Sequence, residues 1–218
     1  MIKRVSVIAL RLKCALDDVR HYHWLERLRY NGMQIGEDVL LPLETSVDLA
    51  SCHLITIGDS CSFGPEVMLL AHEALATPFL GAVRVGRIVL HESCHIGARA
   101  VLLPGIEIGP RTIVAACSVV TRTLPPNSVC AGNPARPVST IHHYLESHRA
   151  RLVTAARFPY AHYGRIDVLN AAQRAALLAA VASGDAYMMG GRTEELRSSG
   201  GSFRTPLRHH RPVPPESL

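Results

Sequence analysis

The chain has 218 residues and carries 23 Lys and Arg against 18 Asp and Glu, a formal net charge of +5. Only Lys3 and Lys13 are lysines and no three consecutive residues are basic, which weighs against a nucleic-acid reader or an anionic-membrane binder. Residues 1–138 hold 13 basic and 12 acidic groups (+1) and residues 139–218 hold 10 and 6 (+4), so the excess sits in the C-terminal part.

The length fits one domain with an appendage. Aromatic residues make up 5% of the chain, so its core must be built from small and branched aliphatics. No apolar run approaches the ~18 residues of a membrane-spanning helix. The N-terminal stretch Val5–Leu10 is cut short by Arg11 and Lys13 and precedes no small-residue cleavage site, so no signal peptide is expected. Six cysteines (Cys14, Cys52, Cys61, Cys94, Cys117, Cys130) form no CxxC pair. Together these features predict a cytoplasmic protein with buried, reduced thiols and no bound metal.

Residues 1–31 read as an N-terminal helical segment, with Leu16, Val19, Trp24, Leu25 and Leu28 sharing a face. Asn31-Gly32 forms its stop, because both residues tolerate the left-handed conformation that ends helices.

From Gly32 the period changes. Ile35, Leu41 and Val47 step by six, then Ile57, Phe63 and Leu69, then Leu90, Ile96, Leu102, Ile108, Val114 and Val120. Neither the 3.6 period of a helix nor the 2.0 period of a single strand produces this. A short strand and a turn every six residues does, with one large aliphatic pointing inward each time. Small residues follow the inward position (Gly36, Gly58, Gly64, Gly97, Gly109, Ala115), where bulk or a forbidden φ would obstruct a corner. Three hexads close a triangular coil of 18 residues, so Leu90 should stack under Ile108, Ile96 under Val114 and Leu102 under Val120. This is a parallel β-helix of hexapeptide repeats over residues 32–138. The segment between Leu69 and Leu90 fits the hexads poorly and reads as an excursion from the coil, where function tends to concentrate.

Pro125-Pro126 and Gly132-Asn133-Pro134 mark the end of the coil. Residues 139–197 read as a helical extension, with helices over 139–157 and from an Asp167 N-cap to about Ala182. Its alanine and leucine face needs a packing partner, and Tyr160, Tyr163 and Tyr187 are candidates for an acceptor pocket or a docking surface. Residues 198–218 are Ser-, Gly- and Pro-rich and read as a disordered tail.

The stretch from Ile88 to Val138 carries LLPGIEIG, SVVT followed by Arg122, and GNPARP. It resembles the left-handed β-helix acyltransferases, such as the sugar, galactoside and maltose O-acetyltransferases. The resemblance covers about residues 32–138 and implies a left-handed coil, acetyl-CoA as acyl donor and a homotrimer with sites between subunits. The family's catalytic histidine corresponds to His72, in Leu69-Leu70-Ala71-His72-Glu73. The chemistry fits, because a neutral imidazole, with a pKa near ~6.5, takes the proton of a hydroxyl as it attacks a thioester. Glu73 is its neighbour on an extended chain and faces away, so the group orienting His72 stays open. By position, the main chain of Ala98 and Ala116 resembles the pantetheine contacts, and Thr121, Arg122 and Arg136 resemble the pantetheine and phosphate contacts. An arginine fork suits phosphate oxygens.

The chain departs from the family in three places. Leu90-His91 replaces the usual Ile-Gly, and His95 stands where a tryptophan or other large residue often lines the acceptor pocket, which makes His95 a candidate acceptor contact. The C-terminal extension is the third. The expected activity is transfer of an acetyl group from acetyl-CoA to a hydroxyl of a saccharide or small metabolite, by direct attack in a ternary complex. Two alternatives stand beside it. One is a non-catalytic trimeric scaffold with a partner-binding arm. The other is a zinc γ-carbonic-anhydrase-like enzyme using His72, His91 and His95, although a spacing of four between the last two falls out of phase with a repeat of six.

Overall fold

The six-residue spacing resolves into two- and three-residue strands separated by tight corners. A computed structural model of the chain describes residue 16 and residues 19–163 and 169–190. Two compact units divide it, one running to Thr140 and the other spanning Ile141–Ser202.

In the first unit helix α1 (residues 19–30) precedes the coil. Leu28 is fully buried, and Trp24 and Leu25 pack partly against the core, while Leu16 and Val19 are exposed. The buried face is therefore shorter than the sequence pattern implied. His21 Nε2 anchors it, 2.6 Å from the Leu41 carbonyl oxygen. Residues 1–15 and 17–18, including Cys14, lie outside the described residues.

Strands β1 (Gln34–Ile35), β2 (Ser46–Val47), β3 (Ile55–Ile57), β4 (Ser62–Phe63) and β5 (Met68–Leu69) wind the first turns. An excursion follows, made of β6 (His72–Glu73), a single helical turn α2 (Thr77–Leu80) and β7 (Arg84–Val85). Winding resumes with β8 (Ile88–Leu90), β9 (His95–Ile96), β10 (Val101–Leu102), β11 (Ile106–Ile108), β12 (Ile113–Val114) and β13 (Val119–Val120), and ends with β14 (Ser128–Ala131) and β15 (Arg136–Thr140).

The chain visits three sheets in rotation. Their orders are β1-β3-β8-β11, β2-β5-β10-β13 and β4-β9-β12-β14-β15, here called the first, third and second walls in the order the chain meets them around each full turn. All pairs within the walls are parallel except β14 with β15. The register places Leu90 opposite Ile108, Ile96 opposite Val114 and Leu102 opposite Val120, as the hexads require. These six side chains are buried and form one core with Leu41, Ile57, Phe63 and Leu69. Aliphatic stacking of this kind removes apolar area from water at about 25 cal/mol per Å².

Of the two reasons expected for the small residues after each inward position, close approach holds and a forbidden φ does not. The left-handed φ values fall two residues later, on Ser60, Glu66, Ser93, Arg99, Arg111, Cys117 and Asn127. Bulk is what excludes side chains next to the inward position. A Cβ on Gly97 would stand 2.3 Å from the Ala116 nitrogen of the next turn.

Cys52, Cys61, Cys94 and Cys130 are buried free thiols, whereas Cys117 is exposed at a corner. Cys61 and Cys94 donate to the carbonyls of His91 (3.1 Å) and Gly109 (3.2 Å), and Thr112 donates to Pro125 (2.8 Å). The inner corner is thus lined by small donors that satisfy carbonyls of the following turn.

The second unit contains α3 (Ile141–Thr154), β16 (Ala156–Pro159), α4 (Tyr160–Tyr163), α5 (Ala171–Val181) and β17 (Ala186–Met189), with β16 and β17 in a parallel pair. Residues 139–140, expected as helix, belong instead to β15, where the β-branched Val138 and Thr140 suit an added strand. Helix α5 starts later than the sequence indicated. Its N-cap is Asn170, which forms a reciprocal capping box with Gln173. Asp167 and the tail at 198–218 lie outside the described residues. Helix α5 buries no residue, Phe158 and Tyr163 rings pack 4.6 Å apart, and Tyr187 meets His148 at 3.1 Å. Among the described residues no helix is long and apolar enough to cross a membrane.

Candidate active site

Parallel register builds the centre of the site. Val47 pairs with Leu69, so the next residue, Asp48, donates its N–H to the Leu69 carbonyl (3.0 Å) at the corner where the third wall ends. One turn further along the stack the chain leaves that same corner through Leu70 and Ala71 and enters the excursion at His72. Asp48 Oδ2 then lies 2.5 Å from His72 Nδ1.

The carboxylate is nearly inaccessible, with 4% of the Asp48 side chain exposed, whereas 41% of His72 faces solvent. Burial alone pushes the Asp48 carboxyl up. The hydrogen bonds from His72 and Ser51, with the nearby imidazole charge, outweigh it and hold the carboxyl below its ordinary value. Its other oxygen, Oδ1, accepts the Ser51 N–H at 3.4 Å. An ionised carboxylate only accepts hydrogen bonds, so His72 donates through Nδ1, which leaves Nε2 as the ring nitrogen not engaged by Asp48. The pair thus sets a nearly inaccessible carboxylate behind one nitrogen of a ring that is 41% exposed.

Asp48 was the residue missing from the sequence reading. The only signal was its charge, because Asp48 follows the inward Val47 at a corner that the other turns fill with Leu70, Leu103 and Thr121. Glu73 plays no part in orienting His72. It pairs with Arg84 at 3.4 Å on the opposite strand of the hairpin.

Replacing Asp48 with Asn is expected to lower kcat at least ~10-fold, because the imidazole loses the anion that orients it and stabilises its protonated form. Acid unfolding provides a second readout. The native carboxyl titrates below its unfolded value near 3.8, so its contribution to stability is full above that value and disappears as pH falls through the lowered one. An acid-unfolding curve of the Asn variant should lack this step.

The other candidates occupy two further places. Ala98 and Ala116 lie at the corner between the second and third walls, in successive turns. Among the described residues their amide N–H groups make no hydrogen bond, while the Ala98 carbonyl accepts from Cys117 (2.9 Å). Thr121 and Arg122 follow Val120 at the far corner of the third wall, in the same column as Asp48 and Leu70. Arg136 opens β15, and its guanidinium donates to the Ala135 carbonyl at 2.7 Å.

His95 projects from the second wall, where its Nδ1 lies 2.7 Å from Ser62 Oγ in the preceding turn. Burial lowers its pKa, which keeps the ring neutral near pH 7. His91 lies at a third corner, 2.5 Å from Glu107. The three histidines considered for zinc therefore take three separate partners: Asp48, Glu107 and Ser62. The chain brings His72 and Asp48 together, but it leaves Ala98, Ala116 and His95 on other sides of the coil.

Residues 87–122 match the bacterial transferase hexapeptide family (six repeats). The chain is 29% identical to YvoF of Bacillus subtilis, provisionally named an acetyltransferase, over 118 residues, covering 54% of this chain and 66% of that one. It is 31% identical to the galactoside O-acetyltransferase of Escherichia coli over 108 residues, 44% of this chain and 52% of the relative. Between half and two thirds of these relatives' length is thus spanned. Among solved structures, the hexapeptide-repeat acetyltransferase VCA0836 of Vibrio cholerae, complexed with acetyl coenzyme A, matches with a TM-score of 0.44 and 19% identity, covering 61% of this chain and 87% of that one.

Proposed function

Starting from a chain that carries transferase hexapeptide repeats and is similar to acetyltransferases, we propose that it transfers an acetyl group from acetyl-CoA to a hydroxyl of a saccharide or related metabolite. The His72–Asp48 pair carries this reading. His72 Nε2 takes the hydroxyl proton as the oxygen attacks the thioester carbonyl. The C–O bond forms, the tetrahedral intermediate collapses, the C–S bond breaks, and His72 returns the proton to the departing thiolate. Asp48 holds the imidazole in the tautomer this needs and stabilises its charged form.

The donor lies along the main-chain amides of Ala98 and Ala116, with Thr121, Arg122 and Arg136 toward the pantetheine and phosphates. His95, held by Ser62, contacts the acceptor. In this reading the coil is a left-handed β-helix and the working unit is a trimer. Strand spacing supports the trimer. Thr121 is five steps along the chain from Ala116 across the third wall, and at ~3.3 Å per residue these amides and the His72 corner stand about 16 Å apart in one chain. A thioester held at those amides is out of reach of its own His72, so the base comes from a neighbouring copy.

Light scattering should give three chain masses. Acetyl-CoA should raise the melting temperature, and a screen of saccharide acceptors should show acceptor-dependent release of CoA thiol. A monomer, or a protein indifferent to acetyl-CoA, overturns the reading.

A further inference from the structure

Helix α1 turns only one side to the coil. His21, Trp24, Leu25 and Leu28 recur at i, i+3, i+4 and i+7 and are its buried or half-buried positions. Every other residue from 19 to 30 is exposed. Leu16, 64% exposed, and Val19, 47% exposed, belong to the side turned away from the core. Their hydration is not relieved within the described structure.

The sequence ahead of α1 extends that side. Val5, Ile8, Leu12, Leu16 and Val19 follow at steps of three and four. At the helical period of about 100° per residue they share one arc of about 80°. Arg4 and Arg11 border this arc on one side and Lys13 on the other. Beyond Val19 the same side carries His23 and Glu26, so the apolar stripe ends where α1 docks on the coil.

Charge divides at the same place. Residues 1–16 hold four basic groups (Lys3, Arg4, Arg11, Lys13) and no acidic one, whereas residues 17–138 hold 9 basic and 12 acidic groups. An anionic surface therefore attracts the leading segment and repels the coil behind it. The absence of a basic run speaks against a polybasic patch. An apolar stripe bordered by separated cations is a different device. Its aliphatic groups enter the acyl boundary of a bilayer while the long basic side chains reach back to anionic headgroups. An apolar groove on a protein would use the stripe and leave the bordering cations without a role.

We propose that residues 2–19 lie as an amphipathic helix on the surface of an anionic phospholipid bilayer and hold the coil at that surface. The segment rests on the bilayer and does not cross it, since four charges among its residues are incompatible with a span. The inference is independent of the acyl-transfer reading.

The test is co-sedimentation of the full chain with vesicles of phosphatidylcholine alone and of phosphatidylcholine mixed with phosphatidylglycerol. The wild-type chain should bind the anionic vesicles about tenfold or more tightly than the neutral ones, and ~0.5 M salt should weaken that binding. Arg11→Gln/Lys13→Gln should lower affinity for the anionic vesicles roughly 25-fold, at about fivefold per charge. Leu12→Glu/Leu16→Glu should abolish binding with melting temperature and oligomer mass unchanged, because the stripe faces away from the core. Equal affinity for both vesicles, binding to neither, or binding that either double variant leaves intact overturns the proposal. A lower melting temperature in the leucine variant also overturns it, because the stripe is then covered by the chain itself. A change in its oligomer mass does the same, because another copy is then the cover. No readout here involves acyl transfer, so failure of that reaction and failure of membrane binding are told apart.

Discussion

In a His72→Ala variant, acetyl transfer is expected to fall by ~10²–10⁴ in kcat, the usual worth of positioned base catalysis. Binding of acetyl-CoA should be unchanged, because the contacts proposed for the donor are main-chain amides of Ala98 and Ala116 and the side chains of Thr121, Arg122 and Arg136, none of which the substitution removes. A companion His72→Gln variant separates chemistry from folding. Alanine leaves the Asp48 carboxylate, only 4% exposed, with Ser51 as its single remaining donor, and losing a donor to such a group costs about 1–3 kcal/mol. Glutamine retains an N–H donor for Asp48 but no basic nitrogen. It should regain stability and stay inactive. Recovery of activity with glutamine would show that His72 orients its surroundings and moves no proton.

The second large effect concerns stability and comes from a single methyl group. In Gly97→Ala the new Cβ would stand 2.3 Å from the Ala116 nitrogen and 2.7 Å from the Ala115 carbonyl carbon. Both are backbone atoms of the next turn and have no rotamer to move into. Relief requires the turns to part, which weakens the 2.7 Å hydrogen bond from Gly97 to Val114. The cost is expected at the upper end of overpacking, about 3 kcal/mol. For a chain of this size that lowers Tm by ~6–12 °C in a thermal melt. Gly81→Ala is the control. Its Cβ meets nothing within 4 Å, and only its left-handed φ of 63° resists a side chain, at about 1–2 kcal/mol. Equal melting temperatures for the two variants would mean that the coils part easily.

The coil was readable because its information is repeated. Leu90, Ile96, Leu102, Ile108, Val114 and Val120 each state the same geometry, and the register confirms the three stacked pairs. His72 was readable because the excursion interrupts that repeat immediately before it. Asp48 was not. Its role depends on two turns being adjacent in space, which is not a property of a short window of sequence. Ser62 behind His95 escaped for the same reason, since the two are 33 residues apart and meet only through the pairing of β4 with β9. The limits of β15 and α5 were displaced because strand addition to an open edge and a capping box compete with simple helix periodicity in β-branched and polar stretches.

The contact between Asp48 and His72 joins the first wound turn to the departure point of the second. A stack of this kind is bound nearest neighbour to nearest neighbour and loosens from its ends. The turn that supplies the carboxylate is the terminal one, secured by the Val47–Leu69 pairing and by α1 through Leu28 and His21. Fraying at the N-terminal end therefore disarms the imidazole before the remaining turns lose a single stacked pair. With His72 in the proposed role, catalytic competence is set at the end of the stack, and inactivation on mild heating is expected to precede loss of the strands.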